Sequence, residues 1–351
     1  MPILTAASPF RMVPAGMGGS RPDAARPAPN LNDGEAGMEP VSLDRAKILV
    51  LNYNGRALLE ECLPSVVEAA RRSPIPCGVA VVDNDSADDS LPWLAANHPD
   101  VPAIRRPNRG LASFNDVLAE IDEPVVLLLN NDVKLAPDSV APLLRPFAER
   151  PDALFSAPMC WTFDGSTYEG MRTRVRTRYG LVQGMSRVPG HESVVRDADL
   201  TAAAGPVLAV DRARFLKLGG YDPIYFPGRI EDLDLGFRGW MAGLRGYYVP
   251  ESVAHHKGFA TFAPELGAER CDGLAIRNTL IFAWKNLKGR RLATHLAWLA
   301  VRMARGGSGF RRAFVEAAAR LPEVARARRA LHAGDAGWVE RQEAFFRRFE
   351  W

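Results

Sequence analysis

Four short apolar runs, each closing on Asn, Asp or a basic turn, constrain this chain more than any other feature. KILVLNYNG begins at Lys47, GVAVVDNDS at Gly78, a brief Ala103–Arg105 run leads into NRGLASFNDVLAE, and PVVLLLNNDV begins at Pro124. Between the first two lies Arg56 to Arg72, with Leu58, Leu59, Cys62, Val66 and Ala69 at near-helical spacing. Asp88 or Asp89 is placed to cap a second helix carrying Leu91, Trp93 and Leu94. Repeated strand, polar loop and helix predict an α/β fold with a parallel sheet covered by helices on both faces. Ligands of such sheets bind beyond the carboxyl ends of the strands. Turn geometry accounts for Asn and Asp in any one loop, but four such loops in series predict a cleft.

The chain is 351 residues long and long enough to bury a substantial core, so one large domain with additions is expected. Its 44 basic and 41 acidic residues leave a net charge of +3, which gives no basis for a nucleic-acid partner. Cys62, Cys77, Cys160 and Cys271 form no CxxC pair and read as reduced structural thiols. No apolar run reaches eighteen residues, so no membrane span is expected and a cytoplasmic protein is anticipated. Residues 1–44 are dense in Ala, Pro, Gly and Met and read as a disordered tail, residues 45–261 as the catalytic domain, and residues 262–351 as an Arg-rich helical extension.

Later segments carry the chemistry. Asp132, directly after the fourth apolar run, is a metal-ligand candidate, because Mg²⁺ or Mn²⁺ held by a carboxylate can grip a diphosphate. Asn130 beside it can bond a ribose or phosphate oxygen, although a turn explains it equally well. Glu231, Asp232 and Asp234 in IEDLDLGFRGW put three acids at the start of a helix, more than a dipole cap requires. Asp232, or alternatively Glu231, is a candidate general base. His255 and His256 follow the strand-like Tyr247–Val249, and His256 is the better candidate to complete a metal site. MRTRVRTRYG reads as a strand or hairpin whose Arg172, Arg174, Arg176 and Arg178 line a solvated edge or face an anionic ligand.

In order, VLNYNG, VVDNDSADD, NRGLASFN, LLLNNDV, GGYD, EDLDLGFRGW, HHKG and AIRN make residues 47–287 resemble family 2 glycosyltransferases, most closely the bacterial rhamnosyltransferase branch. The resemblance implies a GT-A fold, an inverting mechanism and a divalent metal, Mg²⁺ or Mn²⁺. It also implies a nucleotide-diphosphate sugar donor, such as dTDP-rhamnose or a UDP-sugar. The acceptor it implies is a glycan or a lipid-linked glycan of polysaccharide or cell-envelope synthesis. Carried over by position, Asn52, Asn54, Asp83, Asp85, Asn108, Gly110, Asn115, Asn130 and Asn131 become donor-binding residues. Asp132 and His256 become metal ligands, and Asp232 becomes the base with Glu231 beside it. Asn130 stands where the family's D-x-D motif has its first Asp. Arg277 and Asn278 form an Arg-Asn pair at the start of the extension, suited to a structural contact or to a phosphate.

Other readings fit less well. No G-x-G-x-x-G turn follows the first strand, and no G-x-x-x-x-G-K-[ST] string occurs. A sugar nucleotidyltransferase would need an early Gly-rich basic loop, and Gly55 with Arg56 falls short of one. An inactive nucleotide-sugar-binding scaffold would not need Asp132, Asp232 and His256. In RRLATHLAWLAVRMARGG, Trp298, Leu299 and Val301 sit between Arg290, Arg291, Arg302 and Arg305. That helix is expected either to pack on the catalytic domain or on a second subunit, or to touch the inner membrane surface peripherally.

Overall fold

The computed structural model describes residues 41–258 and 267–351. The expected tail therefore lies mostly outside the described residues, as does the expected boundary at residue 262. Among the described residues, Val41 donates its N–H to the Phe147 carbonyl, and both Val41 and Leu43 pack on the core.

The four apolar runs form β1 (Ala46–Asn52), β2 (Cys77–Asp83), β3 (Ala103–Arg105) and β4 (Val125–Asn130). The intervening helices are α1 (Arg56–Arg71), α2 (Ser90–Asn97) and α3 (Ser113–Glu120). Strands β3, β2, β1 and β4 lie side by side, all parallel. The near-continuous burial of β1, β4 and the second half of β2, with Ile48, Leu49, Val81, Val82 and Val125 to Leu129 almost inaccessible, is what helices on both faces demand, whereas β3 lies at the exposed edge.

The sheet continues through β5 (Val133–Leu135), β6 (Ala153–Thr162), β7 (Tyr168–Gly170), β10 (Asp199–Leu200), β11 (Val207–Asp211) and β12 (Arg245–His256). Helices α4 (Val140–Glu149), α5 (Arg212–Lys217) and α6 (Glu231–Met241) lie between these strands. The strand order is β10-β12-β6-β11-β4-β1-β2-β3, with β5 paired to β12 and β7 to β6. Strand β11 runs antiparallel to both neighbours, so the sheet is mixed. A separate hairpin, β8 (Arg174–Arg178) with β9 (Leu181–Met185), stands apart from it. Strand β6, ALFSAPMCWT, is a central, largely buried strand that the sequence reading does not single out. The two histidines also do not follow a strand but end β12, which continues past a register shift between Val249 and Val253.

Five helices complete the chain: α7 (Ala268–Asn286), α8 (Gly289–Arg305), α9 (Ser308–Ala318), α10 (Leu321–His332) and α11 (Trp338–Phe349). They share a second core with α6, in which the Phe237 ring meets Phe282 at 5.4 Å and Phe345 at 5.0 Å, both edge-on. The extension is therefore continuous with the packing of α6.

Candidate active site

The carboxyl ends of β1, β2 and β4 are tied into one polar floor. Asn52 donates to an Asp83 carboxylate oxygen and to the Ser86 hydroxyl, each at 3.2 Å, and accepts from the Asn131 amide at 2.8 Å. A Cβ on Gly55 would collide with that Asn52–Asn131 bond, which explains the glycine in NYNG. Asn54 sits in the left-handed region at φ 46° and accepts from the Ala87 N–H, joining the first two loops. Asp88 accepts from the N–H groups of Arg56 and Ser90, so it caps α1 as well as α2. Asp85, also left-handed at φ 62°, pairs with Arg105 at 2.8 Å on the surface.

Asp132 and His256 meet because β12 pairs antiparallel with β5, placing His256 opposite Val133. The His256 Nε2 lies 3.3 Å from an Asp132 carboxylate oxygen, and its Nδ1 lies 2.6 Å from Glu169 on β7. Burial alone would lower the imidazole, but the two flanking carboxylates outweigh it and hold His256 above its ordinary value. The other Asp132 oxygen is buried without a partner. An unsatisfied carboxylate oxygen beside an imidazole that is itself oriented by a second carboxylate fits a divalent cation. Asp132 and His256 would hold such an ion, leaving its other positions to diphosphate oxygens and water. Among the described residues no larger cluster of ligating side chains accompanies them. Glu169 carried no sequence signal, since it stands in a three-residue strand outside every motif.

The acidic helix start is equally specific. Arg229 and Ile230 take left-handed backbones, φ 82° and 77°, and deliver Glu231 and Asp232 to the N-terminus of α6. Both side chains keep some accessible surface while lying deep among protein atoms. Burial lifts Asp232 to about 6, with the Leu233 N–H and Arg229 opposing it. Burial, and then the charge of Asp232, lift Glu231 to about 8. Near neutral pH the two carboxyls are thus separated, with Asp232 ionised and Glu231 largely protonated. One Glu231 oxygen is buried and unpartnered, facing a small cavity bounded by Arg109, Leu111, Tyr221, Phe226 and Gly228.

Asp234 has a different task. It accepts from Tyr225, Arg238 and Asn286 and pairs with Lys285 at 2.7 Å, all buried. Although burial opposes its charge, Lys285 and Arg238 hold its carboxyl below the usual range. Arg238 in turn donates to the Leu218 and Gly220 carbonyls, anchoring the GGYD loop.

The segment from Ala202 to Pro206 joins the two halves of the site. The Asn130 N–H donates to the Pro206 carbonyl on one side, and the Ala202 carbonyl lies so close to Gly236 of α6 that no Cβ would fit on the other. Asn84 donates to the Gly110 carbonyl at 3.2 Å, and Gly110 packs against the Pro227 carbonyl, so the second and third loops also reach the catalytic turn. The Asn84 side-chain oxygen is buried and unpartnered. It belongs with the site residues although it was not singled out within VVDNDS.

Some expected residues serve the scaffold. Asn115 places both ends of its amide on the Tyr221 backbone, at 2.8 and 2.9 Å, which clamps the GGYD loop. Asn108 accepts from the Gly110 N–H in a local turn. Arg172 is bound to Asp199 at 2.6 Å and to the Val194 carbonyl, and Arg174 donates to the Arg348 carbonyl, so neither is free for an anion. Arg277 and Asn278 contact no acid in the catalytic turn. Asn278 donates to the carbonyls of Tyr225, Gly228 and Arg229 at 2.7 to 2.9 Å, and Arg277 donates to Phe226 at 2.6 Å. The pair is a carbonyl clamp on the turn that presents Glu231 and Asp232.

With this arrangement in place, residues 47–197 match the model of glycosyl transferase family 2. That match spans 151 of the chain's 351 residues. The match includes the β1, β2 and β4 loops and Asp132; Asp232 and His256 lie beyond it in sequence. The chain is 29% identical over 246 residues to the N-acetylglucosaminyl-diphospho-decaprenol L-rhamnosyltransferase of Mycobacterium tuberculosis, in two strains, covering 62% of this chain and 78% of that one. Its fold matches the crystal structure of GalNAc-T7 with UDP, GalNAc and Mn²⁺, at a TM-score of 0.52 and 18% identity. That match covers 80% of this chain, which spans 58% of the other's length. The chain therefore has the GT-A-like architecture expected of it, a mixed sheet flanked by helices with a helical region after it.

Proposed function

We propose that this glycosyltransferase is metal-dependent and inverting, and that it moves a sugar from a nucleotide diphosphate to a hydroxyl of a lipid-linked glycan in cell-envelope synthesis. A dTDP-linked rhamnose is the first donor to test and UDP-sugars the second, on the strength of the mycobacterial rhamnosyltransferase relative. The observation that carries the reading is the Asp132–His256–Glu169 relay, with its orphaned carboxylate oxygen at the carboxyl end of the sheet. A bound Mg²⁺ or Mn²⁺ would offset the charge that develops on the departing diphosphate.

The chain's own groups do the rest. Asp232, ionised near neutral pH, takes the proton of the acceptor hydroxyl as that oxygen bonds to the anomeric carbon. The bond from the anomeric carbon to the diphosphate oxygen breaks on the opposite face, so the configuration inverts. Largely protonated, Glu231 leaves Asp232 as the ionised member of the adjacent pair, at a helix start whose N-terminal dipole favours its charge.

Calorimetry of the full chain with dTDP, UDP and GDP, with and without Mn²⁺, tests the donor site. Product anomeric configuration by NMR then tests the mechanism. Metal-dependent binding of one nucleotide and an inverted product are expected. Binding indifferent to metal would remove the relay from that role, and a retained configuration would remove Asp232 as base.

A further inference from the structure

Helix α8 has two apolar faces, and only one of them is used. Leu292, Leu299 and Met303 pack on the second core, and His295 is buried with Nδ1 2.6 Å from the Gly180 carbonyl. The opposite face is exposed and wholly apolar through its middle: Ala293, Leu296, Ala297, Ala300, Val301 and Ala304 recur at helical spacing. Leu296 is 49% and Val301 41% accessible. Beside them Trp298 meets the exposed Tyr179 of the β8–β9 turn edge-on at 5.2 Å, so the patch extends beyond one helix.

The charge carried by α8 itself has one sign, and the acids beside it, Glu343 and Glu350, are paired with Arg291. No acid occurs in α8, and Arg290 and Arg305 stand exposed at its two ends. From 289 to 332 the chain holds ten arginines and two glutamates, while the whole protein is only +3. Both glutamates are already engaged, Glu316 with Arg270 and Arg312 and Glu323 with Arg320.

We propose that this face of α8, with Tyr179, is a docking surface for an anionic lipid bilayer. An apolar strip flanked by uncompensated arginines is suited to lie in the headgroup region, with its cations toward lipid phosphates. Self-association fits less well, because a two-fold contact would bring the arginine-rimmed patch of one copy against that of the next. No described helix is long and apolar enough to cross a membrane, so the contact is peripheral.

Flotation of the full chain, without donor, on phosphatidylglycerol/phosphatidylcholine vesicles and on pure phosphatidylcholine tests the proposal independently of transfer activity. Binding to the anionic vesicles only is expected, weakened at least tenfold by L296E/V301E and by R290E/R305E, with thermal unfolding unchanged. Failure of the folded wild-type chain to float overturns the proposal. So does flotation unaffected by both pairs. A concentration-dependent dimer abolished by L296E/V301E, without vesicle binding, would assign the surface to a second copy.

Discussion

His256 faces Asp132 across a strand pairing that brings together opposite ends of the catalytic region, with Nε2 and the carboxylate oxygen 3.3 Å apart. Removing either side chain should cost the same function. Asp132→Ala and His256→Ala are each expected to abolish the Mn²⁺-dependent part of nucleotide binding in calorimetry while leaving the weak metal-free part. Glu169→Gln keeps the shape but weakens the hold on His256, and a 10- to 100-fold loss of metal affinity is expected.

Asp232→Asn separates chemistry from binding. Turnover should fall by roughly two to four orders of magnitude with donor affinity nearly unchanged. In the wild type, kcat/KM should rise with pH through an apparent pKa of about 6, because only the ionised carboxylate accepts a proton. A profile flat between about pH 5 and pH 8 would exclude this residue as base.

The same substitution has a stability signature of opposite sign. Burial raises the Asp232 pKa above its unfolded value, so folding favours the neutral acid. The cost of ionising it in the folded state appears above about pH 4 and is complete above about pH 6. Asp232→Asn is therefore expected to stabilise the protein by about 1–2 kcal/mol at about pH 8, after allowing for partial exposure, and not at about pH 4. Chemical denaturation at the two pH values measures the difference.

Asp234→Asn should behave in the reverse way. It leaves buried Lys285 and Arg238 without their shared carboxylate, and an expected loss of about 3–5 kcal/mol should show as a lower urea midpoint.

Asn278→Asp keeps the size of the clamp but turns its donor into a carboxylate aimed at three carbonyls. Turnover should fall at least tenfold. The pH profile should also shift, because Arg229 and Ile230 no longer fix where Asp232 sits, and Asn278→Gln should recover part of both.

Much of the donor-side fold is readable because it is local. Each of β1 to β4 is a continuous apolar run ended by its own turn residues, and Ala103–Arg105 occupies the same residues in both readings. Strand β6 is hidden because Ser156 and Pro158 interrupt it, and only the tertiary fold shows the Ser156 hydroxyl donating to the Leu143 carbonyl. Asp132, Asp232 and His256 can be selected by chemistry and order along the chain, yet the orientation of His256 by Glu169 depends on a pairing among β5, β6, β7 and β12 that no short spacing reveals. Asn115 and Asn278 illustrate a different limit. Both look like polar ligand residues, and both spend their amides on backbone carbonyls or N–H groups far along the chain, where side-chain patterns leave no trace.

Helix α6, which carries Asp232, leans on α11, through Phe237 against Phe345 and Trp240 donating to the Arg341 carbonyl. During synthesis, the loops after β1, β2 and β4 would emerge from the ribosome and could fold long before these residues exist. The proposed proton acceptor would be seated only once the chain had been made to about residue 349.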